Sequence, residues 1–597
     1  MQRDNTEILS PAGSYEAVCA AVSNGADAVY LGGTNFSARR FAKNLTDREI
    51  AKAVALCKKH GVKVYVTVNT VIADRELAEA LAFCKVLYEI GVSAVIIQDI
   101  GLAKLLREYL PELPIHASTQ MTVHSLDGAN KLAELGFSRV VLARELTAAQ
   151  IRYITENCKA ETEVFVHGAL CYCYSGQCLM SAVIGRRSGN RGACAGPCRL
   201  PYTVGGKKGY FMSLKDLCLA DKVKELAQMG VASLKIEGRM KRAEYVSAVT
   251  RVYSKAKREN ISVRDTELLS KIFSRSGFTD GYYSADKGAH MLGRKSDENV
   301  PENILAAEKR TYQALLKQNF EVNVPDRDMT SAEQFINDRL SGKRGFTKYK
   351  IISICKTAEQ ASAAAEKSHR VFLPIEEFLK CDNLAENVGI DFPTILSDGD
   401  REYFRSRLAK SGARYARIHG FGQIDLARES GMEITFSPAF NIYNANAAAH
   451  AAELGADAVT LSVEISAPQA RTTAKTIGVG MMAYGRIKLM TAENCIAKGA
   501  GLCRGIRCAM PMTVTDRAGE AFLVMREGDC KNAIYNSKPL WLADKLADIR
   551  ALSLTHIELH FTDEDKKRTA EVMASYTGGE KIPPKEYTRG MFDKKVT

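Results

Sequence analysis

Sixteen cysteines occur in the 597 residues, and they are unevenly placed. Cys19, Cys57, Cys84 and Cys158 stand singly in helical patterns, as small buried hydrophobes do. Five others gather at Cys171, Cys178, Cys194, Cys198 and Cys218, and four more at Cys495, Cys503, Cys508 and Cys530. Each set can supply four thiolates, enough for tetrahedral zinc or an iron–sulfur cluster. Structural zinc favours tight CxxC knuckles, which neither set contains. The first set has spacings of six residues (Cys171 to Cys178) and fifteen (Cys178 to Cys194), which suit the larger cluster. Zinc and unliganded thiols stay open as alternatives, as does a Cys–His catalytic pair, because His167 lies near Cys171. No HExxH, GxSxG or Walker motif is present.

The thiols of the first set follow a strand-like run, EVFVHG, and that run is one of eight. The others are EILSPAG, AVYLGG, KVYVTVN, AVIIQD, PIHASTQ, RVVLAR and LKIEGR, all within the first 260 residues and mostly separated by helical patterns. Eight strands with intervening helices in this length predict a (β/α)8 TIM-type barrel, with a doubly wound sheet as the alternative. The seventh connection is the exception, where the cysteine-rich segment replaces a simple helix. In either fold the chemistry belongs at the carboxyl ends of the strands. There stand Asn69, Gln98, Asp99, Gln120, Arg144, His167, Glu237 and Arg239. His167 and Glu237 are the candidates for proton transfer. Arg144 and Arg239 are candidates for an anion, because guanidinium pairs bidentately with carboxylate and phosphate. Asp99 and Gln120 complete the candidate catalytic set.

The second half echoes the first. NIYNANAAAHAAELGADAVTLSVEISAPQAR (441–471) reads like QMTVHSLDGANKLAELGFSRVVLARELTAAQIR (120–152), and MMAYGRIKLMTAENC (481–495) lines up with VFVHGALCYCYSGQC (164–178). In this alignment Cys178 meets Cys495, Cys171 meets Lys488, His167 meets Tyr484 and Cys218 meets Trp541. The repeat predicts a second, related α/β barrel-like unit. The chain is accordingly read as a barrel over 1–260, an irregular connector over 261–350, a second and incomplete unit over 351–575, and a tail over 576–597.

The formal net charge is +13, which suits a polyanionic partner. Basic residues separated by glycine recur in KKHGVK (58–63), in SGKRGFTKYK (341–350) and in GRRSGNRG (185–192) inside the cysteine loop. Arg186, Arg187 and Arg191 are therefore the candidate RNA contacts. The first residues lack a basic region followed by an apolar stretch, and no run is long enough for a membrane helix, so a cytoplasmic location and no membrane partner are expected.

EILSPAGSYEAVCAAVSNGADAVYLGG, EVFVHGALCYCYSGQCLMS, GACAGPCRLPY, SLKDLCL and KIEGRMK together resemble the U32 peptidase family, which includes collagenase-like members, over roughly residues 7–283. The resemblance implies a TIM-barrel enzyme and, despite the family's name, an iron–sulfur-dependent RNA hydroxylase. Its implied product is a 5-hydroxypyrimidine, in the first place 5-hydroxycytidine in 23S ribosomal RNA. Wobble-uridine hydroxylation in tRNA, peptidase activity and a non-catalytic, cluster-bearing scaffold are the alternatives. The implied cofactor is a 4Fe–4S cluster on Cys171, Cys178 and Cys194, with Cys198 or Cys218 as fourth ligand. A second cluster or zinc would fall to Cys495, Cys503, Cys508 and Cys530. Prephenate as co-substrate and a ferredoxin-like electron donor also enter through the resemblance, with ribosomal RNA ahead of tRNA as partner.

Overall fold

Eight short apolar runs become eight parallel strands, numbered β1 (Glu7–Pro11), β2 (Ala28–Gly32), β3 (Lys63–Val68), β4 (Ala94–Ile97), β5 (Ile115–Ala117), β6 (Arg139–Val141), β7 (Glu161–Ala169) and β8 (Ser233–Ile236). Neighbours pair in sequence order, and β8 pairs with both β1 and β7, so the sheet closes into a barrel. The computed structural model describes residues 6–40, 42–294, 299–338, 348–476, 478–503, 505, 508–528 and 530–596. Most strand residues are buried, as expected where helices cover the outside and side chains fill the inside. Inside, Glu163 accepts from Lys235 Nζ at 2.7 Å and from Arg139 at 3.5 Å, while Arg139 also pairs with Glu7. These charges are buried but mutually compensated.

The second half forms another sheet of eight parallel strands: β9 (Lys350–Ile354), β10 (Arg370–Pro374), β11 (Val388–Asp391), β12 (Tyr415–Ile418), β13 (Glu433–Phe436), β14 (Ala456–Val459), β15 (Gly480–Gly485) and β16 (His556–His560). Its incompleteness is confined to the seam. Where β6 and β7 share three paired residues, β14 and β15 are joined beside Thr460–Gly480, a single bridge. The repeat is exact in register at the points that matter. His167 pairs with Cys218 across an antiparallel ladder, and Tyr484 pairs with Trp541 in the same way. Both eighth strands meet their seventh strands through an irregularity at the same place. After each fifth strand a serine, Ser118 or Ser437, caps a 3-10 turn that ends on a left-handed residue, Thr122 or Asn441.

The cysteine-rich segment and its counterpart tie the halves together. A six-stranded sheet runs in the order Lys488–Ala492, Lys531–Tyr535, Ala521–Glu527, Met512–Thr515, Tyr202–Val204, Lys207–Gly209. Its last two strands belong to the first half and the rest to the second. Helices Ile100–Tyr109 and Ala445–Glu453 also pack closely at Gly101, where a Cβ would stand 2.5 Å from the Ala447 amide nitrogen. The connector, expected to be irregular, carries helices at Val263–Ile272, Glu302–Leu316 and Met329–Asn337. Glu308 anchors the second of them to the first barrel by accepting from Arg251 Nη1 at 2.8 Å. A glycine-containing loop between the first two of these helices interrupts the helical period in the sequence. The tail packs on the second barrel, where Met591 and Phe592 are buried.

Candidate active site at the mouth of the first barrel

The carboxyl ends of the strands surround a cavity, and the cysteine loop covers it. Cys171, Cys178, Cys194 and Cys198 all line it, with Gln120, Arg144, Glu237 and Arg239 among the facing residues. The loop reaches this place because Gly168, next to last in β7, takes a φ of +99° that carries no side-chain penalty there, and because Gly176 passes over the Gln120 carbonyl. A Cβ on Gly176 would lie 1.9 Å from that oxygen. Gly189 sits between the thiol-bearing segments, and a Cβ there would stand 3.8 Å from both the Cys178 carbonyl oxygen and the Cys194 Cβ.

Cys218 is elsewhere. Its Sγ lies 3.8 Å from the Tyr253 hydroxyl, behind the barrel wall, and it does not line the cavity. The structure thus groups four of the five candidate thiols and separates the fifth. Burial pushes the Cys198 thiol up to about 12, with added repulsion from Cys171, Cys178 and Cys194. Cys194 is likewise raised, first by burial and then by Cys178. Cys178 is lowered, because Cys173 hydrogen-bonds to it. Cys173, which the spacing argument passed over, lines the cavity as well. Among the described residues no three His, Cys, Asp or Glu side chains are spaced for a single metal ion. The five thiols around this cavity can supply the four of an all-thiolate cluster, which holds its cysteines farther apart than one ion does.

Glu237 stands at the end of β8 and pairs with Arg39 at 3.0 Å. Burial alone would raise its pKa, but Arg39, Arg144 and Arg239 overcome burial and hold it at about 2. A carboxylate so held is a poor base near neutrality, so the proton-transfer role expected of Glu237 gives way to an electrostatic one. Arg239 donates to Thr67 Oγ1 at 2.7 Å, and burial brings its pKa down to about 10. Arg144 donates to the Ala169 carbonyl at 2.9 Å and to Ser175 Oγ at 3.0 Å, and stacks over Phe165 at 4.5 Å. Gln120 Oε1 is buried with no hydrogen-bond partner. Three guanidiniums around one carboxylate leave the wall positively charged, as an anionic ligand requires.

Two expected catalytic residues lie outside this site. His167 is 1% exposed, sits among Tyr245, Tyr253 and Phe278, and shares a 3.2 Å hydrogen bond with Tyr253. Burial lowers its pKa to about 3. Its ring points away from the cavity, so it forms no Cys–His pair with Cys171. Asp99 caps helix Ile100–Tyr109, accepting from Leu102 N at 3.0 Å, and also accepts from Ile72 N and Asn444 Nδ2. Neither side chain lines the cavity: His167 is held in aromatic packing and Asp99 in capping contacts.

Of the three loop arginines, Arg191 is committed to Glu76 at 2.7 Å and to the Val71 carbonyl at 3.0 Å. Arg187 donates to the Ala193 carbonyl, while Arg186 is exposed. Arg191 would have to leave Glu76 to contact phosphate. Most of the basic run 341–350 lies outside the described residues. In the second set, Cys495 is half-buried at the start of helix Ile496–Gly499, and Cys503, Cys508 and Cys530 are exposed. Asn532 bridges two of these segments, accepting from Ile496 N at 2.8 Å and donating to the Cys530 carbonyl at 3.1 Å.

Arg39, Tyr30 and Lys235 also line the site but were not singled out in the sequence. Lys235 was legible as a charge interrupting the apolar run of β8; it lies 4.4 Å over the Tyr30 ring. Arg39 lies in a loop, where no periodicity marks it.

The sequence model of peptidase family U32 matches residues 13–292. The chain is 39% identical over 306 residues to the 23S rRNA 5-hydroxycytidine C2501 synthase of Escherichia coli, covering 47% of this chain and 46% of that protein. It is 39% identical over 262 residues to tRNA hydroxylation protein P1 of Bacillus subtilis, covering 42% of this chain and 62% of that one. It is 32% identical over 409 residues to a collagenase of Porphyromonas gingivalis, covering 63% of this chain and 96% of the collagenase. The chain thus spans about half the length of the first of these relatives and under two thirds of the second.

Proposed function

The chain belongs to peptidase family U32, and from that footing we propose that it hydroxylates RNA at a pyrimidine carbon, forming 5-hydroxycytidine in 23S ribosomal RNA. One observation carries the reading: five thiols, of which a cluster needs four, share a cavity with a cationic wall at the mouth of the first barrel. Cys171, Cys178, Cys194 and Cys198 are the residues that would hold a 4Fe–4S cluster, which when bound would supply redox or Lewis-acid chemistry, with a ferredoxin-like protein as its electron donor. Arg39, Arg144 and Arg239 would bind and orient an anionic co-substrate, and prephenate, a dicarboxylate, suits that wall. Glu237 fixes the guanidiniums in place, while the loop over the cavity limits the entry of water.

Relatives named for rRNA and tRNA hydroxylation support this class of reaction. A thiol peptidase built on Cys171 and His167 is disfavoured by the burial of the histidine on the other side of the strand. Nucleoside mass spectrometry of ribosomal RNA and tRNA from a deletion strain tests the proposal. The expected result is loss of 5-hydroxycytidine from ribosomal RNA, restored by the wild-type gene and not by Cys198→Ser. Unchanged hydroxylated nucleosides in both RNA pools would sink it, and a change confined to tRNA would move the substrate to the wobble uridine.

A further inference from the structure

We propose that the mouth of the second barrel is a separate binding site for a small oxyanion-bearing molecule, a carboxylate or a phosphate. This inference does not depend on RNA hydroxylation. A cavity lies at the carboxyl ends of the second barrel's strands, the place its twin occupies in the first.

Strand register matches the two cavities residue by residue, and the chemistry has been exchanged. Thr67 is replaced by Asp391, Ile96 by Arg417, Gln98 by His419, Glu237 by His560 and Cys171 by Lys488. A barrel mouth kept as packing alone would fill with apolar side chains, since each buried charge must be desolvated and then compensated. This one instead holds a connected set of charges. Arg417 pairs with Asp391 at 3.0 Å and with Glu558 at 3.0 Å, and Lys488 pairs with Glu527 at 3.0 Å. His419 bridges Asp391 at 3.0 Å and Ser437 Oγ at 2.9 Å.

The distribution of these charges sets the ligand class. Lys356, Arg417, Arg486 and Lys488 face the cavity, against one carboxylate, Asp391. Glu527 and Glu558 stand behind the cations and hold them in place. Lys356 is the least engaged, with its ammonium 3.9 Å from Asp391. An oxyanion between Lys356 and Lys488 would gain charge-assisted hydrogen bonds with little rearrangement.

The cavity is also walled by Gly176, Gln177 and Leu179 of the cysteine loop. Gln177 donates to the Ala439 carbonyl at 3.1 Å, and Asn441 donates to the Gly176 carbonyl at 2.9 Å. Cys178 of the first cavity therefore lies within the segment that closes the second. A ligand here would bear on the position of the first site's thiols.

Isothermal titration of the full chain with inorganic phosphate, and separately with acetate, succinate and citrate, tests the proposal. Saturable binding with a component that Lys356→Met weakens is expected, and the arm that shows this component identifies phosphate or carboxylate as the recognised group. The first cavity carries guanidiniums of its own, so Lys356→Met separates the two sites. It should weaken binding by about tenfold or more, the worth of one charge-assisted contact, while Lys567→Gln, on an exposed helix face, leaves it unchanged. An unaltered melting temperature of unliganded Lys356→Met shows that the fold is intact. Absence of saturable binding at millimolar concentrations of every probe would overturn the proposal, as would equal affinity in the wild type and Lys356→Met.

Discussion

Glu237 keeps its charge because Arg39, Arg144 and Arg239 surround it, although burial works against them, and that balance makes its effect on stability depend on pH. Its folded pKa of about 2 lies below the ordinary value of 4.5. The stabilisation is therefore complete above the unfolded value and is lost as pH falls through the folded one. The difference corresponds to about 3 kcal/mol at neutral pH. Glu237→Gln should be less stable than the wild type near neutrality, and chemical denaturation at stepped pH should show the gap closing as the acid limit is approached. A gap that stays constant with pH would mean that the guanidiniums do not hold the charge. The thiols separate in the same residue-level way. On the proposed cluster assignment, Cys198→Ser loses visible charge-transfer absorbance after anaerobic purification, while Cys218→Ser retains it. Loss in both variants, or in neither, would contradict the grouping seen in the cavity.

At the scale of elements, the cysteine loop is held by backbone geometry as much as by side chains. Gly176 combines a φ of +88° with contact against the Gln120 carbonyl, so Gly176→Ala must move one strand end or the loop. We expect a lowered melting temperature and, on the proposed function, lost RNA hydroxylation together; retention of both would show that the loop is tolerant there. Arg191 and Arg186 divide in the same loop. Arg191→Gln removes a partly buried ion pair with Glu76 and should cost about 1 kcal/mol of stability. If the proposed RNA partner is right, Arg186→Gln should reduce the salt dependence of RNA binding slightly. If Arg191→Gln proves neutral in stability but weakens RNA binding, the arginine leaves Glu76 for phosphate in the complex.

The eight strands of the first barrel were legible because buried parallel strands read as short apolar runs. The repeat was legible because its paired positions keep their spacing, as His167 with Cys218 and Tyr484 with Trp541 show. The direction of each polar side chain was not, since His167 and Glu237 both mark strand ends and only one faces the cavity. Nor could spacing choose between Cys198 and Cys218, because that choice depends on how a long loop folds back over the barrel.

For the whole molecule, the joint between the barrels is built from polar contacts in buried surroundings, and these decide whether the halves unfold as one. Asn444 begins helix Ala445–Glu453 and reaches across the joint. Its Nδ2 donates to the Ile72 carbonyl at 2.9 Å and to Asp99 at 2.8 Å, while its Oδ1 accepts from Ala447 N at 2.8 Å. Asn190 of the cysteine loop donates to Glu464 of the second half at 3.2 Å. The shared six-stranded sheet adds backbone pairing at Val514–Val204. Truncating Asn444 leaves Asp99 short of a donor and the helix without its cap, at about 1–3 kcal/mol for the unsatisfied buried group and about 1 kcal/mol for the cap. The wild type should therefore melt in a single calorimetric transition. Asn444→Ala should melt earlier, with the transition broadened or split as the barrels begin to unfold separately. Two resolved transitions in the wild type would show that the joint does not couple the halves. A single, merely shifted transition in Asn444→Ala would instead assign the coupling to the six-stranded sheet, which the substitution leaves untouched.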